Sequence, residues 1–229
     1  MTTRAGTGGA TKKDKIAAEL RRRILTGQLP RGVRLRQDQL ARELSTSITP
    51  VREAMRVLEA EGLLVSESHK GVRVAGLDLE RTKGTYIVRR LVESYAMRRA
   101  TLRFSRLDLA QARGLIEQMQ QALDAADPAR YQELNERFHF HFYERCGVPS
   151  LCDEIRATWQ SFPWDLSLES LDRSAASQAE HTAIVDAMAV GDPDLVAQAT
   201  EQHIAHGFAA LIERATGTRR PDPFPLEAD

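Results

Sequence analysis

The sequence predicts a mainly α chain in two parts. The N-terminal third is three short helices followed by a β-hairpin, and the rest is an all-α bundle of about six helices. Three observations predict this. Apolar residues recur at helical spacing along most of the chain, and β-like runs occur only at 63–66 and 72–75. An Asp-Pro pair, which combines an N-cap with a first-turn proline, opens a long amphipathic stretch twice, at Asp127-Pro128 and Asp192-Pro193. The formal net charge of zero is also divided unevenly. Residues 1–76 carry 15 Lys/Arg against 8 Asp/Glu, and residues 77–229 carry 17 against 24. One part is suited to meeting phosphate and the other is not.

The first ten residues are small, polar and rich in Gly and Thr, so a disordered arm is expected there. A helix follows over 13–25, with Ile16, Ala17, Leu20, Ile24 and Leu25 on one face, and the turn Gly27-Gln28-Leu29-Pro30 stops it. A second helix reads from 37 to 44, burying Leu40, Ala41 and Leu44. Ser45-Thr46-Ser47 forms the turn, and a third helix runs over 48–61 with Val51, Ala54, Met55 and Leu58 inward. Pro50 suits its first turn and Gly62 its end. The two β-like runs meet through a turn containing His69-Lys70-Gly71. Three helices and a hairpin in this order make a winged helix-turn-helix, over residues 11–76.

After residue 76 every element reads as helix. Asp78 caps one to about 104, Ser105 caps the next to about 125, and Asp127-Pro128 opens one to about 146. Pro149 begins a helix reaching the Trp159–Trp164 region, another spans 173–190, and Asp192-Pro193 opens the last, to about 215. The domain is expected over 77–216. The segment 217–229 has three prolines in its last nine residues and is expected to be a flexible tail. Cys146 and Cys152 match neither a disulfide framework nor a zinc spacing. No apolar run approaches the length of a membrane span, and a reduced, cytoplasmic protein with no membrane partner is expected.

The third helix of such a module enters the major groove with its N-terminal residues facing base edges. Ser47 and Thr49 place short hydroxyls at that entry, and Arg52 and Arg56, one turn apart, reach phosphate or guanine. The alternative is that these arginines only solvate a small helical bundle. The stretch IAAELRRRILTGQLPRGVRLRQDQLARELSTSITPVREAMRVLEAEGLL resembles the DNA-binding domain of the GntR family of regulators, most clearly in TPVREA and LEAEGLL. The resemblance implies that Arg36, Ser47, Thr49, Arg52 and the wing tip around Lys70 and Gly71 contact palindromic operator DNA as a homodimer. Many members have arginine where this chain has Ile48, so the operator sequence is not legible.

Four histidines are candidates for one site: His139, His181, His203 and His206. Asn135 and His139 lie at i and i+4 and share a helical face, while His181 and His203 fall on two other helices. Three helices can direct imidazoles into one cavity. Three neutral imidazoles and an oxygen ligand suit a divalent transition ion, zinc first, with nickel or manganese as alternatives. His206, one turn after His203, can line the cavity as an effector contact; taken singly, a helical histidine is more often a surface or satisfied core residue. The segments YIVRRLVESYAMRRA, NERFH at 135–139, EHTAIVDAMAVGD and EQHIAH resemble the FCD-type effector domain of the FadR subfamily. The resemblance implies Asn135, His139, His181 and His203 as metal ligands, with Asn where Asp is commoner. It also implies that Arg89 grips the carboxylate of a small organic acid. The alternative for Arg89 is a surface i,i+4 pair with Glu93.

The function expected is a ligand-responsive DNA-binding regulator, a repressor released by a small carboxylic acid, and not an enzyme. A metal-dependent hydrolase fused to a DNA-binding module is one alternative, because an open metal site can activate water. Glu136 and Glu180 adjoin the histidines in sequence, but adjacent helical positions face different ways. The other alternative is a DNA-binding structural protein whose helical part only dimerises.

Overall fold

A computed structural model describes residues 11–67, 71–167 and 171–225, in two compact units, 1–77 and 78–229. The expected arm at 1–10 and the wing-tip residue Lys70 lie outside the described residues.

The first unit runs α1 (Lys12–Leu25), β1 (Arg34–Leu35), α2 (Gln37–Glu43), α3 (Ile48–Ala60), β2 (Leu64–Glu67) and β3 (Gly71–Val74). A capping box starts α1. The Asp14 amide donates to Thr11 Oγ1 at 3.2 Å, and the Thr11 amide donates to the Asp14 carboxylate at 3.0 Å. The apolar face of α1 (Ile16, Leu20, Ile24) packs on that of α3 (Val51, Met55, Leu58), all buried. Arg21 forks onto Glu61 at 2.9 and 2.6 Å, tying the middle of α1 to the end of α3. Gly62 takes φ 76°, so the chain reverses and the Leu63 amide donates to the Leu58 carbonyl at 2.9 Å.

The wing differs from the predicted hairpin. It is a three-stranded antiparallel sheet in the order β1-β3-β2, with Arg34 opposite Arg73 and Leu64 opposite Val74. A two-residue strand carries no periodicity to read; only pairing with β3 defines it.

The second unit is α4 (Leu79–Thr101), α5 (Arg106–Asp124), α6 (Pro128–Tyr143), α7 (Pro149–Ser161), α8 (Trp164–Ser167), α9 (Leu171–Val190) and α10 (Pro193–Thr216). The short α8 is added to the six helices expected. Asp78, Ser105, Asp127 and Asp192 each accept a backbone N–H of the helix they precede, as their sequence positions predict. Helix α6 is buried along most of its length, through Tyr131, Phe138, Phe142 and Tyr143, and packs against α4 and α5. Helix α10 packs along both α4 and α9. The histidine-bearing helices α6, α9 and α10 and the arginine-bearing α4 are thereby brought together.

The expected tail also needs correction. Residues 217–225 have no regular structure, yet they return to α4. The Tyr86 hydroxyl donates to Asp222 Oδ1 at 2.6 Å, Arg90 Nη1 donates to Asp222 Oδ2 at 2.7 Å, and Arg90 lies 4.0 Å from the Phe224 ring centre. Phe224 packs against the cluster of Tyr86, Ile204, Phe208 and Ile212. Proline content suggested flexibility, but one carboxylate and one ring supply the contacts that hold this segment.

Candidate functional site

In the first unit, the exposed half of α3 is set by its buried half. With Val51, Ala54, Met55 and Leu58 inward, the 100° step leaves Ile48, Thr49, Arg52 and Arg56 outward, and all four are exposed. Ser47 is the N-cap of α3 and its side chain makes no capping hydrogen bond, so the hydroxyl is not committed to the helix. Arg36 precedes α2, exposed, with Nε and Nη2 each 3.3 Å from Asp38. Gly71 opens β3 at φ 84°, a left-handed conformation that favours glycine. A Cβ added at Gly71 would sit 3.3 Å from Arg34 Nη2. Arg34, on the unpredicted β1, thus adds a guanidinium at the base of the wing.

In the second unit, His139, His181 and His203 converge, with ligand atoms all within 4.8 Å of one another, and all three are buried. Ring centres are 4.8–5.2 Å apart. Asn135, one turn before His139, is buried and lines a cleft of about 420 Å³, counting its open mouth, together with Arg89, Trp164, Arg173 and His203.

The electrostatics fit neutral imidazoles. Burial lowers the pKa of His139 and His181 well below the ordinary histidine value, and mutual repulsion with His203 lowers both further. His203 is lowered by burial, against an opposing pull from Glu180. His203 Nδ1 lies 2.8 Å from Glu180 Oε2, so Nδ1 carries the proton and Nε2 the lone pair. His181 Nδ1 lies 3.4 Å from Gln178 Oε1, whose amide is oriented by donating to the Ile116 carbonyl at 3.0 Å. His181 Nε2 is buried with no hydrogen-bond partner among the described residues. An orphaned acceptor beside two other imidazoles is what a divalent ion would satisfy, so the residues present fit such an ion.

Arg89 and Glu93 do pair, but neither on the surface nor in place of the cleft. Both are buried, at 2.6 Å between Nε and Oε1, and Arg89 still lines the cleft. Trp159, Phe162 and Trp164 surround its guanidinium, at 5.1, 4.4 and 4.8 Å to their ring centres. Trp159 and Trp164 are the two tryptophans of the chain, and both stand at this site.

His206 does not line this cleft. It is 62% exposed, with Nδ1 2.8 Å from Glu180 Oε1, so it meets that carboxylate from the solvent side while His203 meets it from within.

Sequence reasoning missed Glu180. Adjacent to His181 on α9, it faces α10, and its carboxylate joins His203, His206 and both Nη atoms of Arg173, at 2.9 and 2.6 Å. Burial pushes this carboxyl up, but the hydrogen bonds from His203 and Arg173 outweigh it and hold it well below the usual carboxylate range. The signal available was chemical: histidines that bind metal commonly give their other N–H to a carboxylate. Committed to four donors, Glu180 is poorly placed as the general base that hydrolysis would need.

Residues 12–74 match the family described as bacterial regulatory proteins, gntR family, and residues 85–206 match the FCD domain. The chain is 33% identical over 183 residues to a probable D-xylose utilization operon transcriptional repressor of Paenarthrobacter nicotinovorans, covering 80% of each chain. It is 29% identical over 145 residues to the transcriptional regulator McbR of Escherichia coli K12, covering 63% of this chain and 66% of that one. The solved structure of E. coli McbR/YncC shares the fold, with a TM-score of 0.78 at 22% identity over 90% of this chain and 99% of that one. A helix-turn-helix with its wing, followed by a helical domain that gathers three histidines, therefore has its place: the chain belongs to the GntR family of bacterial regulatory proteins, in its FCD-domain branch, and is a DNA-binding transcription regulator rather than an enzyme.

Proposed function

We propose that this regulator is a repressor, released from DNA when a small carboxylic acid enters the cleft beside His139, His181 and His203. The observation that carries this reading is the convergence of three buried imidazoles next to a buried arginine. Asn135, His139, His181 and His203 would hold a divalent transition ion, zinc first, with nickel or manganese as alternatives. When bound, such an ion supplies a positive charge and open coordination positions for a carboxylate oxygen. Arg89 orients the acid: Glu93 takes its Nε and Nη2, and Nη1 has no hydrogen bond among the described residues. The aromatic rings around Arg89 keep water from the pair and strengthen it. Glu93 and Glu180 balance Arg89 and Arg173, so the protein groups of the cleft carry little net charge. The bound ion would then supply most of its attraction for an anion.

On the DNA side, Arg36, Ser47, Thr49, Arg52, Arg56 and the wing at Lys70 and Gly71 are the proposed contacts. Exposure of the described members of this set and the basic balance of residues 1–76 support it. The protein acts in the cytoplasm, where its operator is. Acid binding would shift the population away from the form that fits both half-sites. The test is to select operator fragments from genomic DNA, load the protein with zinc, and titrate a panel of small carboxylic acids. At least one acid is expected to weaken operator binding tenfold or more, and His139→Ala is expected to abolish that response. Unchanged operator affinity with every acid would remove the proposal.

The repressor is further proposed to be a homodimer on a palindromic operator. Along α4 and its C-cap, Val88, Leu91, Tyr95 and Leu102 form an exposed apolar stripe at spacings of three, four and seven residues, the pattern of a helix face with a partner. Leu91→Glu is expected to yield monomers in sedimentation and to weaken operator binding at least tenfold. A dimer of unchanged affinity would move the interface elsewhere.

A further inference from the structure

We infer that Glu93, acting through Tyr143, is the positioning group for His139, a reading that rests on the metal site proposed above. The direction of each hydrogen bond follows from the donors. Glu93 is fully buried on α4 and accepts at both oxygens. Oε1 receives Arg89 Nε at 2.6 Å and Trp159 Nε1 at 2.9 Å; Oε2 receives Arg89 Nη2 at 3.3 Å and the Tyr143 hydroxyl at 2.6 Å. Arg89 and Trp159 can only donate. Tyr143 has one hydroxyl proton, and the charged carboxylate at 2.6 Å takes it in preference to the ring nitrogen at 3.2 Å. Its proton therefore goes to Glu93, and its oxygen is left to accept.

The group facing that oxygen is His139 Nδ1, 3.2 Å away. An accepting phenol oxygen requires a proton on Nδ1, which leaves the lone pair on Nε2. The other close neighbours of the ring are the faces and edges of Phe138, Trp159, His181 and His203, none of which forms a hydrogen bond with Nδ1 among the described residues. Tyr143 alone thus fixes which nitrogen of His139 can bind an ion. His203 receives the same service from Glu180 directly, and His181 from Gln178. Glu93 differs in reaching its histidine through a second side chain while also holding the arginine of the cleft.

The test has two arms on the full-length protein. In the metal-free wild type, long-range nitrogen–proton correlation spectra of the histidine rings are expected to show His139 with its proton on Nδ1. In Tyr143→Phe, which keeps the ring and removes the hydroxyl, they are expected to show mixed tautomers. Cobalt(II), titrated by its visible absorption, is expected to bind Tyr143→Phe about 10–100-fold more weakly than wild type. His139 protonated on Nε2 in the wild type would overturn the inference, and that arm stands even if the variant does not fold. Cobalt affinity in Tyr143→Phe within twofold of wild type, with His139→Ala unable to bind, would overturn the positioning role alone. Wild-type cobalt affinity in His139→Ala would remove the metal site, and this inference with it.

Discussion

Replacing Glu93 with alanine is expected to destabilise the 78–229 unit more than any other single change at the cleft, by about 3–5 kcal/mol. The substitution leaves the Arg89 guanidinium buried with no counter-charge, and it strips the Trp159 indole N–H and the Tyr143 hydroxyl of their acceptor. Removing one member of a buried pair costs far more than the pair is worth, because the remaining charge stays out of water. For a domain of this size such a loss lowers the melting midpoint by roughly 10 °C. Glu93→Gln keeps the volume and one acceptor oxygen, so it is expected to cost less. Differential scanning calorimetry of the three proteins without metal separates these outcomes. A loss below about 1 kcal/mol for Glu93→Ala would mean that water in the cleft hydrates Arg89 and that the pair is not a structural element.

Stability of the metal-free protein is expected to fall steeply as the solution is acidified from pH 7.5 to 5.5. His139, His181 and His203 have pKa values below the ordinary 6.5 in the folded chain, burial being the largest cause, and regain about 6.5 when unfolded. Below that value the unfolded chain takes up protons that the folded chain refuses. The equilibrium therefore moves toward unfolding as pH falls, and the full stability is present only above about 6.5. Each histidine that stays neutral in the fold contributes about 1.4 kcal/mol over this interval, so His139 and His181 together approach about 3 kcal/mol, and His203 adds in the same direction. His141 is lowered too, by burial first, and adds in the same direction. The carboxylates act in a lower window. Asp108 is held at about 2 by Ser105 first, with Arg145 adding to it, and its contribution is lost only as the pH falls below the ordinary carboxylate range. Urea unfolding in the presence of chelator at the two pH values measures the effect. Equal stability at pH 7.5 and 5.5 would show that the histidine cluster protonates freely in the fold.

Most helices of this protein were legible because their starts are written in local chemistry. Asp78, Ser105 and the two Asp-Pro pairs satisfy backbone donors within one turn, and no distant residue is needed to identify them. The pair Asn135 and His139 was legible for the same reason, since four residues return a helix to the same face. What could not be read depends on residues far apart in sequence. Strand β1 exists only through its pairing with β3, and the 217–225 segment is held by Tyr86 and Arg90 on α4. Position next to a ligand in sequence set Glu180 aside, yet the approach of α10 to α9 makes it the acceptor for His203.

By itself, then, the sequence determined the kind of protein: a winged helix-turn-helix ahead of a helical domain, with the histidines and the arginine that matter already named. Helical periodicity and capping are local, and they carry that much. Only the tertiary structure decided what those residues do to one another. It turned Arg89 and Glu93 from a choice between surface pair and ligand grip into one buried pair at the edge of the cleft, and turned His206 away from it. It also connected His139 through Tyr143 to a carboxylate on another helix. Burial and hydrogen-bond direction are properties of packed neighbours, and no spacing along the chain encodes them.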